Sequence, residues 1–107
     1  MNARFIHDGK AIDFTPTADV AAGTVFVLGD RVGVTIVDIP ANVLGALQVT
    51  GVFDFAKDNT VIPLYDKVYW DATAKKATVT ATGNTLLGIA LDATIAADDI
   101  VRVRLNS

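Results

Sequence analysis

Apolar and polar residues alternate along much of this chain, most densely over residues 24–55. Residues 24–28 and 31–37 are β-branched or apolar runs joined by Gly29-Asp30. Gly takes positive φ cheaply and Asp bonds turn backbone, so this dipeptide predicts a tight hairpin. A third run, 43–55, follows a wider corner at Pro40 and Asn42. It places Leu47, Val49, Phe53 and Phe55 on one face and Gln48, Thr50 and Asp54 on the other, with Val52 the exception. A period of two marks a half-buried strand. Gly51 interrupts the apolar face and marks a bulge or bend. The stretch reads as a three-stranded antiparallel meander, the floor of a barrel or sandwich.

The flanks follow the same rhythm. Asp8-Gly9 between 3–7 and 10–14 is a hairpin signal. Phe5 and Ile6 fall on opposite faces of the first arm, 1–8, so one sheet cannot bury both. That arm is expected to dock elsewhere. Residues 56–59 read as a loop, and Pro63 suits an edge or bend. Val68 and Trp70 share one face of a strand over 65–70, and 76–82 reads as its return strand. Leu87, Ile89 and Leu91 share a face further on. Val101, Val103 and Leu105 point inward from the last run, with Arg102 and Arg104 outward. Turn residues precede a β-branched entry at 22–25, 65–68 and 97–100, an echo that turn chemistry alone can produce. About nine short strands at this spacing predict an all-β, single-domain antiparallel barrel or sandwich over 1–107, with little or no helix.

Composition sharpens this picture. All 12 acidic residues are Asp, which favours turns over helix interiors. Hydrophobic residues make up 51% of the chain and mean hydropathy is +0.43. No apolar run nears the roughly 18–20 residues of a membrane span, so the apolar surplus is expected in the core or in a partner rather than a membrane. A formal charge of −3 argues against a nucleic-acid groove. The absence of Cys removes thiol catalysis, disulfides and Cys-based zinc sites.

Chemistry is sparse. The sole Ser is Ser107, and the sole His, His7, sits beside Asp8 on what alternation makes the opposite face. Asp54 with Asp58, Asp66 with Asp71 and Asp98 with Asp99 sit at strand ends, where Asp serves turns, and none matches a calcium loop. No glycine-rich phosphate loop precedes a helix. Neither an enzyme nor a cofactor or metal is expected. Tyr65, Tyr69 and Trp70, with Lys67, are the best candidates for stacking bases or sugars, although Tyr69 and Trp70 alternate and Trp70 is the better core residue.

The chain as a whole resembles the small capsid cement, or decoration, proteins of tailed bacteriophages. The resemblance is carried in order by Phe5-Ile-His-Asp-Gly-Lys10 with Asp13-Phe-Thr-Pro16, Ala18-Asp-Val-Ala-Ala-Gly23, Val27-Leu-Gly-Asp30, Asp38-Ile-Pro-Ala-Asn42 and Gly45-Ala-Leu47. It continues through Gly51-Val-Phe-Asp54, Asp66-Lys-Val-Tyr-Trp-Asp71, Lys76-Ala-Thr78 with Ala81-Thr-Gly-Asn84, Leu87-Gly-Ile-Ala90 and Val101-Arg-Val-Arg-Leu105. It implies an all-β structural virion protein, made in the bacterial host cytoplasm, that sits on the outer capsid surface. Its partner would be the major capsid protein, whose subunits it would bridge to stabilise the expanded shell. A homo-oligomer is expected, a trimer favoured over a dimer. Ala3, Arg4, Phe5, Ile6 and His7 of the arm, with Arg102 and Arg104, are the expected capsid or subunit interface. The alternative is a small β-barrel that binds single-stranded nucleic acid or sugar through residues 65–70.

Overall fold

A computed structural model describes residues 3–4 and 9–105. Nine antiparallel strands form two sheets among the described residues: β1 (Ala11–Phe14), β2 (Val25–Leu28), β3 (Arg31–Val34), β4 (Gly45–Gln48), β5 (Gly51–Ala56), β6 (Lys67–Asp71), β7 (Lys76–Thr78), β8 (Thr85–Ala90) and β9 (Ile100–Leu105). The first sheet runs β1-β4-β3-β2 and the second β5-β9-β8-β6-β7. The all-β expectation holds. The hairpin expected across Asp8-Gly9 lies partly outside the described residues.

The meander is present as β2, β3 and β4, but the third run is not one strand. It bends after Gln48 and resumes as β5 in the other sheet. Gly51, at φ +116°, makes the bend, a backbone region that side chains with a Cβ rarely adopt. One β-rich run therefore feeds both sheets, with Leu47 and Phe55 buried on either side of the bend. Gly29-Asp30 closes the β2–β3 hairpin with Leu28 opposite Arg31 and Gly29 at φ +66°. The second run stops at Val34, and Ile36 and Val37 are exposed. Its continuation is diverted because the Thr35 hydroxyl donates to the Ala21 carbonyl at 2.9 Å and accepts from the Thr24 N–H at 3.0 Å.

Two other readings are corrected. The return strand expected over 76–82 is β7 alone, three residues long. Leu87 and Ile89 do not share a face. The β6–β8 register shifts between Val68 and Tyr69, which inserts one residue into β8 and buries Leu87 and Ala90 while Ile89 stays half-exposed.

The main core lies within the second sheet, built from Phe55, Ile62, Val68, Trp70, Leu87 and the inward row of β9, and Val32 and Val34 of β3 join it. That sheet nearly closes on itself. Lys57, just past β5, bridges Ala77 of β7, and the Asp58 N–H donates to the Ala77 carbonyl at 3.0 Å. The first sheet is held across its edges by Phe14 of β1 and Phe26 of β2, whose rings lie 4.8 Å apart.

Two isolated antiparallel bridges, Val20–Ile39 and Ile62–Thr94, pin the corners. Ile39 and Ile62 are buried, and so is Thr94, whose hydroxyl has no hydrogen-bond partner among the described residues. Exchanging that hydroxyl for a methyl removes an unmet polar group without changing shape. Thr94→Val should therefore raise the unfolding free energy by about 0.5–1.5 kcal/mol in urea titration. An unchanged or lower value would show that the hydroxyl is satisfied.

Candidate functional site

Among the described residues, those singled out in the sequence do not converge on one pocket. Ala3 and Arg4 are exposed, while Phe5, Ile6 and His7 lie outside the described residues. Arg102 and Arg104 project from β9 on its exposed face, as expected from the alternation. Arg102 is not an open cation. Its cross-strand partner in the β5–β9 register is Asp54, and its Nε donates to Asp54 Oδ1 at 2.9 Å and an Nη to Oδ2 at 3.3 Å. The Asp54 hydrogen bond and charge, with the charge of Asp92, raise the guanidinium pKa above its usual value. Both partners are about half exposed, so the pair fixes register more than it stabilises.

The aromatic group divides. Trp70 is buried with its ring 5.9 Å from that of Phe55, Tyr69 is half-buried, and Tyr65 is exposed in a turn at φ +66°. A stacking platform needs its rings on one open face, and this arrangement does not supply it.

The carboxylates serve turns and corners. Asp19 accepts from the Ala41 N–H and Asp38 from the Ala22 N–H, both at 2.8 Å, across the Val20–Ile39 corner. Asp71 accepts from Thr73 and Ala74, and Asp98 from Ile95. Asp58 accepts from the Thr60 hydroxyl and N–H. Burial raises the Asp58 pKa, but the Thr60 and Thr78 hydroxyls, the Thr60 N–H and the Lys57 charge outweigh that and hold it below the usual value. No group of three or more potential metal-ligating residues occurs among the described residues.

The loop expected over 56–59 begins later than the sequence suggests, since Ala56 ends β5 and Lys57 turns inward. Lys57 is 4% exposed, and its Nζ donates to the carbonyls of Asp58 at 2.8 Å, Ile95 at 3.0 Å and Asp98 at 3.2 Å. Three ammonium hydrogens meet three carbonyls, which is what keeps a buried cation tolerable. The missed signal was the period of two: Lys57 continues the inward row of Phe53 and Phe55.

What the surface does offer is apolar area. Ile36, Val37, Val43 and Leu44 are exposed in the first half of the chain, and Val61, Leu64, Tyr65 and Ile95 in the second. A cleft of about 670 Å³ lies between the start of β2 and β5, lined by Val25, Val34, Phe53, Phe55 and Trp70 and flanked by Lys75. These features suit contact with a macromolecule better than turnover of a small substrate.

A family model described as phage cement protein matches residues 6–105. The chain belongs to the phage cement protein family. That family is structural and stabilises phage capsids, so its member here is a capsid component of the virion. A search of curated proteins and a search of solved structures returned no match. The match spans both sheets and the corners between them, so the geometry above is that of a cement protein from β1 to β9.

Proposed function

We propose that this protein binds the outer surface of an assembled phage capsid and stabilises the expanded shell by bridging major capsid subunits. The family match over residues 6–105 carries the reading. The exposed apolar side chains in both halves of the chain support it, because a bridging protein needs more than one contact surface. Each contact is modest, and repetition over a symmetric lattice raises the avidity. The protein acts as a homo-oligomer, a trimer rather than a dimer, and is made in the host cytoplasm before it joins the shell.

The N-terminal arm, 1–8, is the proposed capsid-docking element. An extended arm adds to a sheet edge through main-chain bonds, and Phe5 and Ile6 on opposite faces then each find a pocket. Arg102 and Arg104 present a second, polar contact on the outer face of β9. Deleting residues 1–7 should leave the circular dichroism spectrum and urea midpoint nearly unchanged while cosedimentation with expanded shells is lost. Wild-type binding by the truncated protein would remove the arm from the interface.

A further inference from the structure

The two sheets are copies of one plan. Their strand orders, β1-β4-β3-β2 and β5-β9-β8-β6, correspond term by term, and β7 is the extra strand. A shift of 42 places carries Val20 onto Ile62, and a shift of 55 carries Ile39 onto Thr94, so one corner bridge falls on the other. The same shifts carry the pair Val25–Val34 onto Lys67–Ile89 and the pair Ile12–Leu47 onto Asp54–Arg102. Main-chain bonds repeat as well. Thr35 N–H to Thr24 C=O, and Gly23 N–H to Thr35 C=O, recur as Ala90 to Asp66 and Tyr65 to Ala90.

The copies differ by one residue in the register of β3 on β4 against β8 on β9, by the bulge in β8, and at one connection. Between β2 and β3 stand two residues, Gly29 and Asp30, whereas β6 and β8 are separated by residues 72–84, which carry β7. β7 lies antiparallel on the outer edge of β6, with Ala77 opposite Trp70 and fully buried. The equivalent edge, that of β2, has no strand on it among the described residues. In a two-residue hairpin the pair flanking the loop, Leu28 and Arg31, is the hydrogen-bonded one, and the pattern alternates from there. Val25 and Val27 therefore turn their N–H and C=O groups toward the open edge. The start of β2 also borders the cleft lined by Val25, Phe53, Phe55 and Trp70.

We infer that the edge of β2 is a strand-accepting site, filled on the virion by an extended apolar segment of the shell subunit laid antiparallel to β2 as β7 is laid on β6, but continuing past the Val27 position that β7 would reach to Val25 and the cleft. This rests on the capsid reading above. The site asks for apolar side chains in both rows, one toward the cleft and one toward the Phe14–Phe26 pair. A second copy of this chain fits poorly. Its described strands already belong to its own sheets, and its arm would put Arg4 into one row or His7 into the other.

Hydrogen exchange at Val25 and Val27, with and without expanded capsids that lack the protein, tests this directly. Both amides should exchange freely in the isolated protein and become protected on the shell. Val27→Pro removes an edge donor that the fold does not use, and Val27→Lys keeps the donor but guards the edge with charge. Val27→Pro should weaken shell binding about tenfold or more, the effect of about one main-chain bond, and Val27→Lys should weaken it to a similar extent by setting a charge against the apolar segment. If wild-type protein binds shells while both amides exchange as in free protein, or if both variants bind as wild type does, the inference fails and the capsid reading stands. Protection that rises with protein concentration in the absence of shells would give the edge to a second copy and overturn it. Failure of the wild-type protein to bind shells at all overturns both.

Discussion

Changing Lys57 to methionine should lower the unfolding free energy by about 2–4 kcal/mol, although methionine fits the same volume. The ammonium is the common partner of the carbonyls of Asp58, Ile95 and Asp98, and so ties the end of β5 to the turn that leads into β9. The Lys57 N–H also donates to the Asp99 carbonyl at 3.0 Å, so main chain and side chain hold the same turn. A hydrogen bond to a charged donor is worth about 1.5–3 kcal/mol, and a buried carbonyl left unmet costs about 1–3. Relief of ammonium desolvation and hydration of the turn carbonyls offset part of that loss. Lys57→Arg should also destabilise, because a planar fork cannot reach three carbonyls arranged around one nitrogen. Urea titrations of both variants decide the matter. Wild-type stability in the methionine variant would mean that the turn holds itself.

Replacing Trp70 with alanine should cost about 3–5 kcal/mol, a large share of the roughly 5–15 kcal/mol available to a small domain. Trp70 is buried beside Phe55, and Phe55 in turn stacks obliquely on Phe53 at 6.2 Å, so removing the indole opens the middle of the second sheet. The neighbouring Tyr65 is the control. It is 67% exposed, and Tyr65→Ala should change stability by no more than about 0.5 kcal/mol. Thermal melts followed by circular dichroism separate the two. Equal effects would place Trp70 at a surface instead of in the core.

Much of this fold was legible because a half-buried strand announces its faces residue by residue. β9 shows it best: Val101, Val103 and Leu105 are buried and Arg102 and Arg104 exposed, as alternation requires. The β2–β3 hairpin followed from Gly29-Asp30 in the same way. Legibility failed where pairing overrides local pattern. Nothing local says that β4 and β5 belong to different sheets, since Gly51 is compatible with either a bulge or a change of sheet. The bulge at Leu87 is set by the partner strand β6 and has no signature in β8 itself. The echo of turn residues before strands was visible, but the shared plan of the two sheets was not. The two copies share corner hydrogen bonds and the register of their β1–β4 and β5–β9 pairs and of the first half of β2–β3 and β6–β8, with hardly any side chains in common, Gly33 and Gly88 being an exception.

The candidate site was less legible than the fold for a related reason. A cement protein works through surface, and exposed apolar residues carry no spacing rule of the kind that marks a catalytic set. Ile36, Val37, Val43 and Leu44 read as strand continuations in the sequence, and only the positions of the corners show that they face outward.

Cosedimentation of the purified protein with expanded capsids that lack it, with unexpanded procapsids alongside, is the most direct test. Saturable binding to the expanded shell, with no binding to the procapsid, is the predicted result. Absence of binding to either particle would contradict the assignment to the outer capsid surface.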